Sequence, residues 1–275
     1  MITLRPGVPV GVEPPPYGRE SVVAGADGIE VGFAVWRVES GVATVEAVAS
    51  VSDDNHDAAI LAALRRQAVD TGLTAVTVEV ADLQTELLEA LQDAPVLSTF
   101  MVKPTPATPP PLPDGFDVRD MTTDEYAEWK QRSIDGYAES NLARCGGNRE
   151  LALQRSHESF ARFLPDDAAT VDTRLLTLTQ GGEGVGNLWI RHHWPRYRDP
   201  APGDDQTFTF DVEIQEGRRG QGLGRAAMTA AERFAFEVDD GQLGLNVFGD
   251  NDTAAGLYRS LGYEVRSTVF DVALH

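Results

Sequence analysis

The stretch that most limits what this chain can become is Phe208 to Gly224, FTFDVEIQEGRRGQGLG. Thr207, Thr209, Asp211 and Glu213 alternate with Phe208, Phe210, Val212 and Ile214. A two-residue period of this kind reads as a half-buried strand, with the two carboxylates on the polar side. Arg218-Arg219-Gly220-Gln221-Gly222-Leu223-Gly224-Arg225 follows, and then AAMTAAERFAFEV, rich in helix formers. A strand therefore feeds a glycine-rich turn, and the turn opens a helix.

That order suits an oxyanion. The first N–H groups of a helix have no partner inside it, and the helix dipole adds partial positive charge there. Glycines at 220, 222 and 224 let the backbone approach a bulky group, and Arg219 and Arg225 add full charges. A phosphate or pyrophosphate fits. No Gly-Lys-Ser/Thr follows, so the turn is not a P-loop. Its glycine spacing also departs from GxGxxG, with Arg at position 225.

Arg219, Gly222 and Gly224, set between a strand and a helix, resemble the acetyl-CoA motif of the GNAT N-acetyltransferase family: Arg or Gln, two residues, Gly, one residue, Gly or Ala. A second stretch, about thirty residues on, resembles that family's other signature, Asn-x-x-Ala-x-x-Leu-Tyr-x-x-x-Gly-Phe/Tyr. It is filled by Asn251, Ala254, Leu257, Tyr258, Gly262 and Tyr263. From Phe116 on, the expected order is strand, two helices, three strands, helix, strand, helix, strand, that of a complete GNAT domain. Its elements include a helix from Asp124 to about Tyr137 capped by Thr123, a helix from about Arg149 to Phe163, and strands at 170–179 and 184–193.

Lys103 to Pro113 carries six prolines in eleven residues and reads as a stiff linker. It divides the chain into a domain at 1–103, a linker at 104–113 and a domain at 114–275. Before the linker come a proline-rich extended arm or cover strand over residues 1–20, strands at 29–37 and 42–50, a helix at 57–70, a strand at 73–80, a short helix at 83–91 and a strand at 96–102. Val31-Gly32 leading to Trp36-Arg37 echoes Val185-Gly186 leading to Trp189, Ile190 and Arg191. The first half thus resembles a truncated, degenerate GNAT-like unit. Where the glycine loop should recur, Ser50 to Asp57 has three acids and neither glycine nor arginine, so it should repel a pyrophosphate. The expected fold class is α/β (α+β), with two GNAT-like units, each a mixed, mostly antiparallel sheet flanked by helices.

The resemblance implies transfer of an acetyl group from acetyl-CoA to an amine by direct attack in a ternary complex. It places the pyrophosphate on Arg219, Gly220, Gln221, Gly222, Leu223, Gly224 and Arg225, and the pantetheine on the strand edge at Val212 and Ile214. The inner parallel strands of the family splay at that edge. Asn251 would contact the cofactor or cap its helix, and the Tyr258 hydroxyl would approach the leaving thiolate. The attacking ammonium, with a pKa of about 10, must lose a proton. Glu213 is the first candidate to receive it and Asp211 the second, unless both face solvent or pair with an Arg. Asn246, Tyr137, Glu139, His192, His193 and Trp194 are weaker candidates for acceptor contacts. A catalytically silent CoA-binding sensor is the alternative reading.

Composition narrows the partners. A net charge of −20 argues against nucleic acid and anionic membranes, and could draw a cationic amine. No apolar run is long enough for a transmembrane helix, and the first residues lack the pattern of a signal peptide. Lone Cys145 makes no internal disulfide, and no Cys/His cluster has zinc spacing. A cytoplasmic location follows as the expectation, with a homodimer possible.

Overall fold

A computed structural model of the chain describes residues 2–8, 20–39, 42–51, 54–142, 145–195 and 205–274. The chain falls into two compact units that do not follow chain order. One comprises Met1–Met101, Asn246–Arg259 and Tyr263–His275, and the other Val102–Leu245 and Ser260–Gly262.

In the first unit, β1 (Thr3–Pro6), β2 (Glu20–Ala26), β3 (Ile29–Glu39), β4 (Val42–Ser50) and β5 (Ala75–Ala81) lie side by side, followed by β12 (Glu264–Val272) and then β6 (Val96–Pro104). β4 and β5 are parallel, while the β1–β2, β2–β3, β3–β4 and β5–β12 pairs are antiparallel. Helix α1 (Asp57–Asp70) packs on β3 and β4 through Ile60, Leu61, Leu64 and Ala68, which join Val45, Val48, Val76 and Val78 in one core. A short helix, α2 (Thr85–Ala90), follows β5.

The second unit orders its strands as β11 (Gln242–Phe248, to Leu245), β10 (Asp205–Ile214), β9 (Glu183–Pro195), β8 (Thr173–Gln180) and β7 (Phe116–Asp120). Only β10–β11 is parallel among the pairs β7–β8, β8–β9, β9–β10 and β10–β11. Helices α3 (Thr123–Ser140) and α4 (Arg149–Phe163) bury Trp129, Ile134 and Phe160 against Leu175 and Trp189 of the sheet. Helix α5 (Leu223–Glu237) packs on β9 and β10 through an alanine-rich stripe, Ala226, Ala227, Ala230, Ala231 and Ala235. Helix α6 (Asp252–Ser260) follows β11 and belongs, up to Arg259, to the first unit. The fold is thus mixed α/β with mostly antiparallel sheets flanked by helices, as the sequence implies.

Several boundaries differ from the sequence expectation. Thr122, not Thr123, caps α3. Its hydroxyl accepts from Glu125 N while the Glu125 carboxylate accepts from Thr122 N, a reciprocal box that Thr123 is one residue too late to form. Of the two readings of residues 1–20, the cover strand holds for β1, which pairs with β2, and residues 9–19 lie outside the described residues. β2 has no counterpart in the expectation, because ESVVAGA lacks alternation and contains a glycine. β6 runs on through Lys103 to Pro104, ending on a proline, the position where a missing N–H is tolerated.

The pairing registers of β3–β4–β5 and β9–β10–β11 follow the same arithmetic. Val42–Val45 pairs with Ala75–Val78, and Gln206–Thr209 pairs with Gln242–Leu245. Beyond those four residues β4 and β10 continue without that parallel partner. Both carry a bulge at the next residue, Glu46 in β4 and Phe210 in β10. Gly32 faces Ser50 as Gly186 faces Ile214. A Cβ on Gly32 would stand 2.5 Å from Ala49 O, and one on Gly186 would stand 2.1 Å from Glu213 O. Both positions therefore admit only glycine. The sequence echo holds for Gly32 with Gly186 and Arg37 with Arg191, whereas Trp36 corresponds to Ile190 and Trp189 to Val35.

Candidate active site

The second unit's site starts at the place where β10 leaves β11. Parallel pairing ends at Thr209, and beyond it β9 is the one strand paired with β10 among the described residues. The backbone edge at Val212 and Ile214 is therefore open on one side. A strand edge in this state offers N–H and C=O groups to an extended, amide-bearing ligand.

β10 and β9 carry two bulges that cancel. Gln206 opposes Trp194 and Phe208 opposes Arg191, so β9 holds the extra residue at His192–His193. Thr209 opposes Ile190 and Asp211 opposes Trp189, so β10 holds the next at Phe210. His193 adopts φ 48° at the first bulge. The Phe210 bulge overturns the simple alternation expected for this strand. Thr207 faces one side, where its hydroxyl donates to Asp240 Oδ2 at 2.6 Å. Past the bulge, Asp211 and Glu213 turn to the other side, toward α3, and share it with Phe208 and Phe210. An inserted residue reverses the phase of everything after it.

On that face Trp129 of α3 donates from Nε1 to Asp211 Oδ2 at 3.1 Å. Burial is the largest influence on Asp211 and raises its pKa, and the nearby Glu213 charge adds to the rise. The Trp129 bond and the Arg132 charge oppose it. Glu213 is more open, and its Oε2 accepts from Asn187 Nδ2 at 3.1 Å and Arg132 Nη2 at 3.3 Å. Trp129, Arg132 and Asn187 escaped the sequence reading. The signals were there: Trp129 and Arg132 are three apart on one helix face, and Asn187 lies directly opposite Glu213.

The glycine loop begins with a 3-10 turn, Glu216–Arg218. Arg218 ties the loop to the β8–β9 hairpin, donating to Gln180 Oε1 at 2.7 Å, which leaves Arg219 as the exposed arginine of the pair. Arg219 Nε donates to Ile214 O at 3.2 Å. Gly220 and Gly222 have φ 75° and 80°, and a Cβ at either would meet nothing within 4 Å. These glycines are required by backbone conformation, and the space above them is open. Gly222 is the N-cap of α5, offers no side chain to it, and precedes a first turn free of acidic residues. The leading N–H groups of α5 therefore remain available to an anion. Buried Leu223 anchors the turn, and exposed Arg225 donates to Ser260 Oγ at 2.7 Å.

Asn251 and Tyr258 belong to the first unit. Asn251 Oδ1 accepts from Ala254 N at 3.0 Å, which makes it the N-cap of α6. Tyr258 is 9% exposed and packs on Tyr263 with centroids 5.8 Å apart. Asn246 is exposed. His192 lies on the α5 side of the sheet, bonded to Thr207 at 3.1 Å and edge-on to Phe234, away from α3. Burial holds its pKa below the usual histidine value. His193 Nδ1 sits 3.0 Å from buried Asp240. Trp194 packs on Phe210 edge-on at 5.4 Å, within the aromatic cluster. Glu139 pairs with Arg149 at 3.3 Å, and Tyr137 is half-exposed. Cys145 is buried beside Arg155. No metal-binding group occurs among the described residues, and none of their helices is long and apolar enough to cross a membrane.

Residues 147–263 match the family model of the Acetyltransferase (GNAT) family. The chain is 27% identical over 149 residues to the uncharacterized N-acetyltransferase YdgE of Bacillus subtilis, covering 54% of this chain and 91% of that one. It is 30% identical over 94 residues to mycothiol acetyltransferase of Corynebacterium jeikeium, covering 32% of this chain and 27% of that one. In fold it is similar to a GCN5-related N-acetyltransferase from Sphaerobacter thermophilus, with a TM-score of 0.60, 16% identity and coverage of 97% and 83%. It is also similar to a tandem GNAT protein from the clavulanic acid biosynthesis pathway, with a TM-score of 0.50, 15% identity and coverage of 95% and 85%. The matched residues 147–263 include the strand end, glycine loop and helix start described above, and this part of the chain is similar to the acetyltransferase (GNAT) family.

Proposed function

We propose that this protein is an acetyl-CoA-dependent N-acetyltransferase that acetylates an amine by direct attack in a ternary complex. The observation that carries the reading is the open edge of β10 from Phe210 to Ile214, lying in sequence just before an uncapped, glycine-opened helix start. The pyrophosphate is held by the N–H groups from Gly220 to Arg225, with Arg219 and Arg225 supplying charge. The pantetheine pairs with the edge at Val212 and Ile214. A carboxylate of β10, Glu213 or Asp211, takes the proton from the ammonium. Tyr258 protonates the leaving thiolate and Asn251 contacts the cofactor, roles that rest on the family motif they fill.

The stretch before the linker acts as a degenerate GNAT-like unit in a tandem arrangement, with domains at 1–103 and 114–275. Its likeness in register to the second supports that reading. The acceptor is an amine drawn in by a chain of net charge −20, and the working compartment is the cytoplasm.

Calorimetric titration of acetyl-CoA into the wild type and into Gly222→Glu tests the proposal, followed by thiol release against an amine panel. Binding that is lost in the variant, with CoA released for at least one amine, supports it. Binding without turnover for any amine would instead mark a CoA sensor, and no binding would remove the reading altogether.

A further inference from the structure

Resting on the reading above, we infer that Asp211 is the group that takes the proton from the attacking amine, and that Trp129 is the residue positioning it. The two carboxylates of β10 stand on one face but in different circumstances. Glu213 Oε2 is bonded by both Arg132 and Asn187, and its side chain is 42% exposed. Its position suits holding the amine's approach rather than deprotonating it.

Asp211 lies deeper. Trp129 is the one side-chain donor bonded to it among the described residues. The indole that makes this bond is 1% exposed and packed edge-on against Trp189, with centroids 5.5 Å apart and planes at 83°. Phe160 and Tyr126 flank it at 6.2 and 6.0 Å. The N–H direction is thereby fixed by packing, and with it the carboxylate plane. Asp211 also follows the bulge at Phe210 directly, at the start of the open edge, next to the residues proposed to hold the pantetheine.

Burial and the neighbouring Glu213 charge raise the proton affinity of Asp211, while Arg132 and the Trp129 bond restrain it. A base for an ammonium works best when its own affinity is lifted toward the working pH and yet it stays ionised. Asp211 combines both tendencies.

The step balances as follows. The ammonium gives one proton to the Asp211 carboxylate, and the freed nitrogen pair forms the C–N bond at the thioester carbonyl. The C–S bond breaks and its electron pair leaves with the thiolate, which takes a proton from Tyr258. The second nitrogen proton restores the tyrosine, and Asp211 releases its proton to water. The sum is one acetamide, one free thiol and one proton.

Asp211→Asn, Glu213→Gln and Trp129→Phe test the assignment in the full chain. Thiol release from acetyl-CoA would be followed with propylamine, phenethylamine, spermidine and a tripeptide bearing a free N-terminus, and acetyl-CoA affinity measured in parallel. Asp211→Asn is expected to cut kcat about a hundredfold or more, with acetyl-CoA affinity within about twofold of wild type. Glu213→Gln should act mainly on KM for the amine.

Trp129→Phe keeps the ring packing but loses the N–H. A bond to the ionised form is removed, so the acid limb of kcat/KM should move to higher pH. A role confined to packing would leave that limb in place. Should Asp211→Asn keep kcat within about threefold while Glu213→Gln loses it, the assignment is overturned in favour of Glu213. An unmoved limb in an acetyl-CoA-binding Trp129→Phe protein overturns the role of Trp129. No turnover of any amine by the wild type defeats the underlying acetyltransferase reading, and this inference with it.

Discussion

The edge that β4 presents after Val45 and the edge that β10 presents after Thr209 both begin after four residues of parallel pairing, and they are treated in opposite ways. The β4–β5 gap is closed by the chain itself. Gln84, at the N-cap of α2, donates from Nε2 to Val48 O at 2.7 Å and accepts at Oε1 from Ala81 N at 3.1 Å. Its amide stitches together the two strands that have parted. Asp57 sits buried in the first turn of α1, accepting from Ser50 Oγ at 2.6 Å and from Gln84 Nε2 at 3.4 Å. In the second unit the corresponding helix start is uncapped and free of acid, and β10 runs on past Thr209 without a parallel partner.

Residue by residue, Ala47 and Ala49 stand where the other strand has Asp211 and Glu213, and Val48 stands where it has Val212. Gln84 itself corresponds to Asn251, each making the same backbone turn with N–H to Ala81 O and to Phe248 O at 3.0 Å. Losing a ligand site therefore takes more than deleting its charges. The exposed amides and carbonyls must find new partners, and here one glutamine supplies them.

The two units diverge most at Gly222. Gly222→Glu imposes a side chain at φ 80° and a negative charge on the anion site. Loss of acetyl-CoA binding by about a hundredfold or more is expected, and calorimetry reads it directly. Normal binding by Gly222→Glu would show that the α5 helix start is not the anion site.

A smaller effect tests the closed gap. Gln84→Ala leaves Val48 O and Ala81 N without their partner, at a cost of roughly 1–3 kcal/mol. The melting temperature should fall by several degrees, and the Ala81 amide should exchange about tenfold faster. The acetyl-CoA stoichiometry is expected to stay at one per chain, because Asp57 and the acidic turn still repel phosphate. A second equivalent bound by the variant would show that glutamine alone had been closing a working site.

The smallest effect concerns what only the second unit has, its helices α3 and α4. A hydrogen-bonded ion pair with Arg119, helped by Thr122, lowers the Glu125 pKa to about 2. A folded value below the unfolded one stabilises the native state above about pH 4.5, and that contribution fades as pH falls toward 2. The pair is partly exposed and screened, so Glu125→Gln should cost about 1 kcal/mol or less at pH 7, and almost nothing near pH 2. Thermal melts at the two pH values check the sign.

The glycine loop, its helix and the strand before it were legible in the sequence because short-range pattern determines them. The family resemblance was carried by the same residues. The faces of β10 were not legible. Period-two reading put Thr207, Thr209, Asp211 and Glu213 on one side, and only the opposing strand reveals the extra residue at Phe210. The partners of Asp211 and Glu213 were hidden for a related reason, since Trp129 and Arg132 arrive from a helix about eighty residues earlier. The role of Gln84 was hidden because nothing local marks a side chain that bonds across to another strand.

The paired bulges of β9 and β10 bear on how this site can change. Each adds one residue to the opposite strand, so the offset introduced at His192–His193 is cancelled at Phe210. Outside the interval the hairpin keeps step, as a gear train does after two opposed idle teeth. Deleting Phe210 alone would carry the mismatch to the end of the strand and rotate both carboxylates toward α5. Deleting one residue from each bulge would restore step but leave the carboxylates facing the wrong helix. The chemistry therefore depends on a length difference that no single substitution can create or erase.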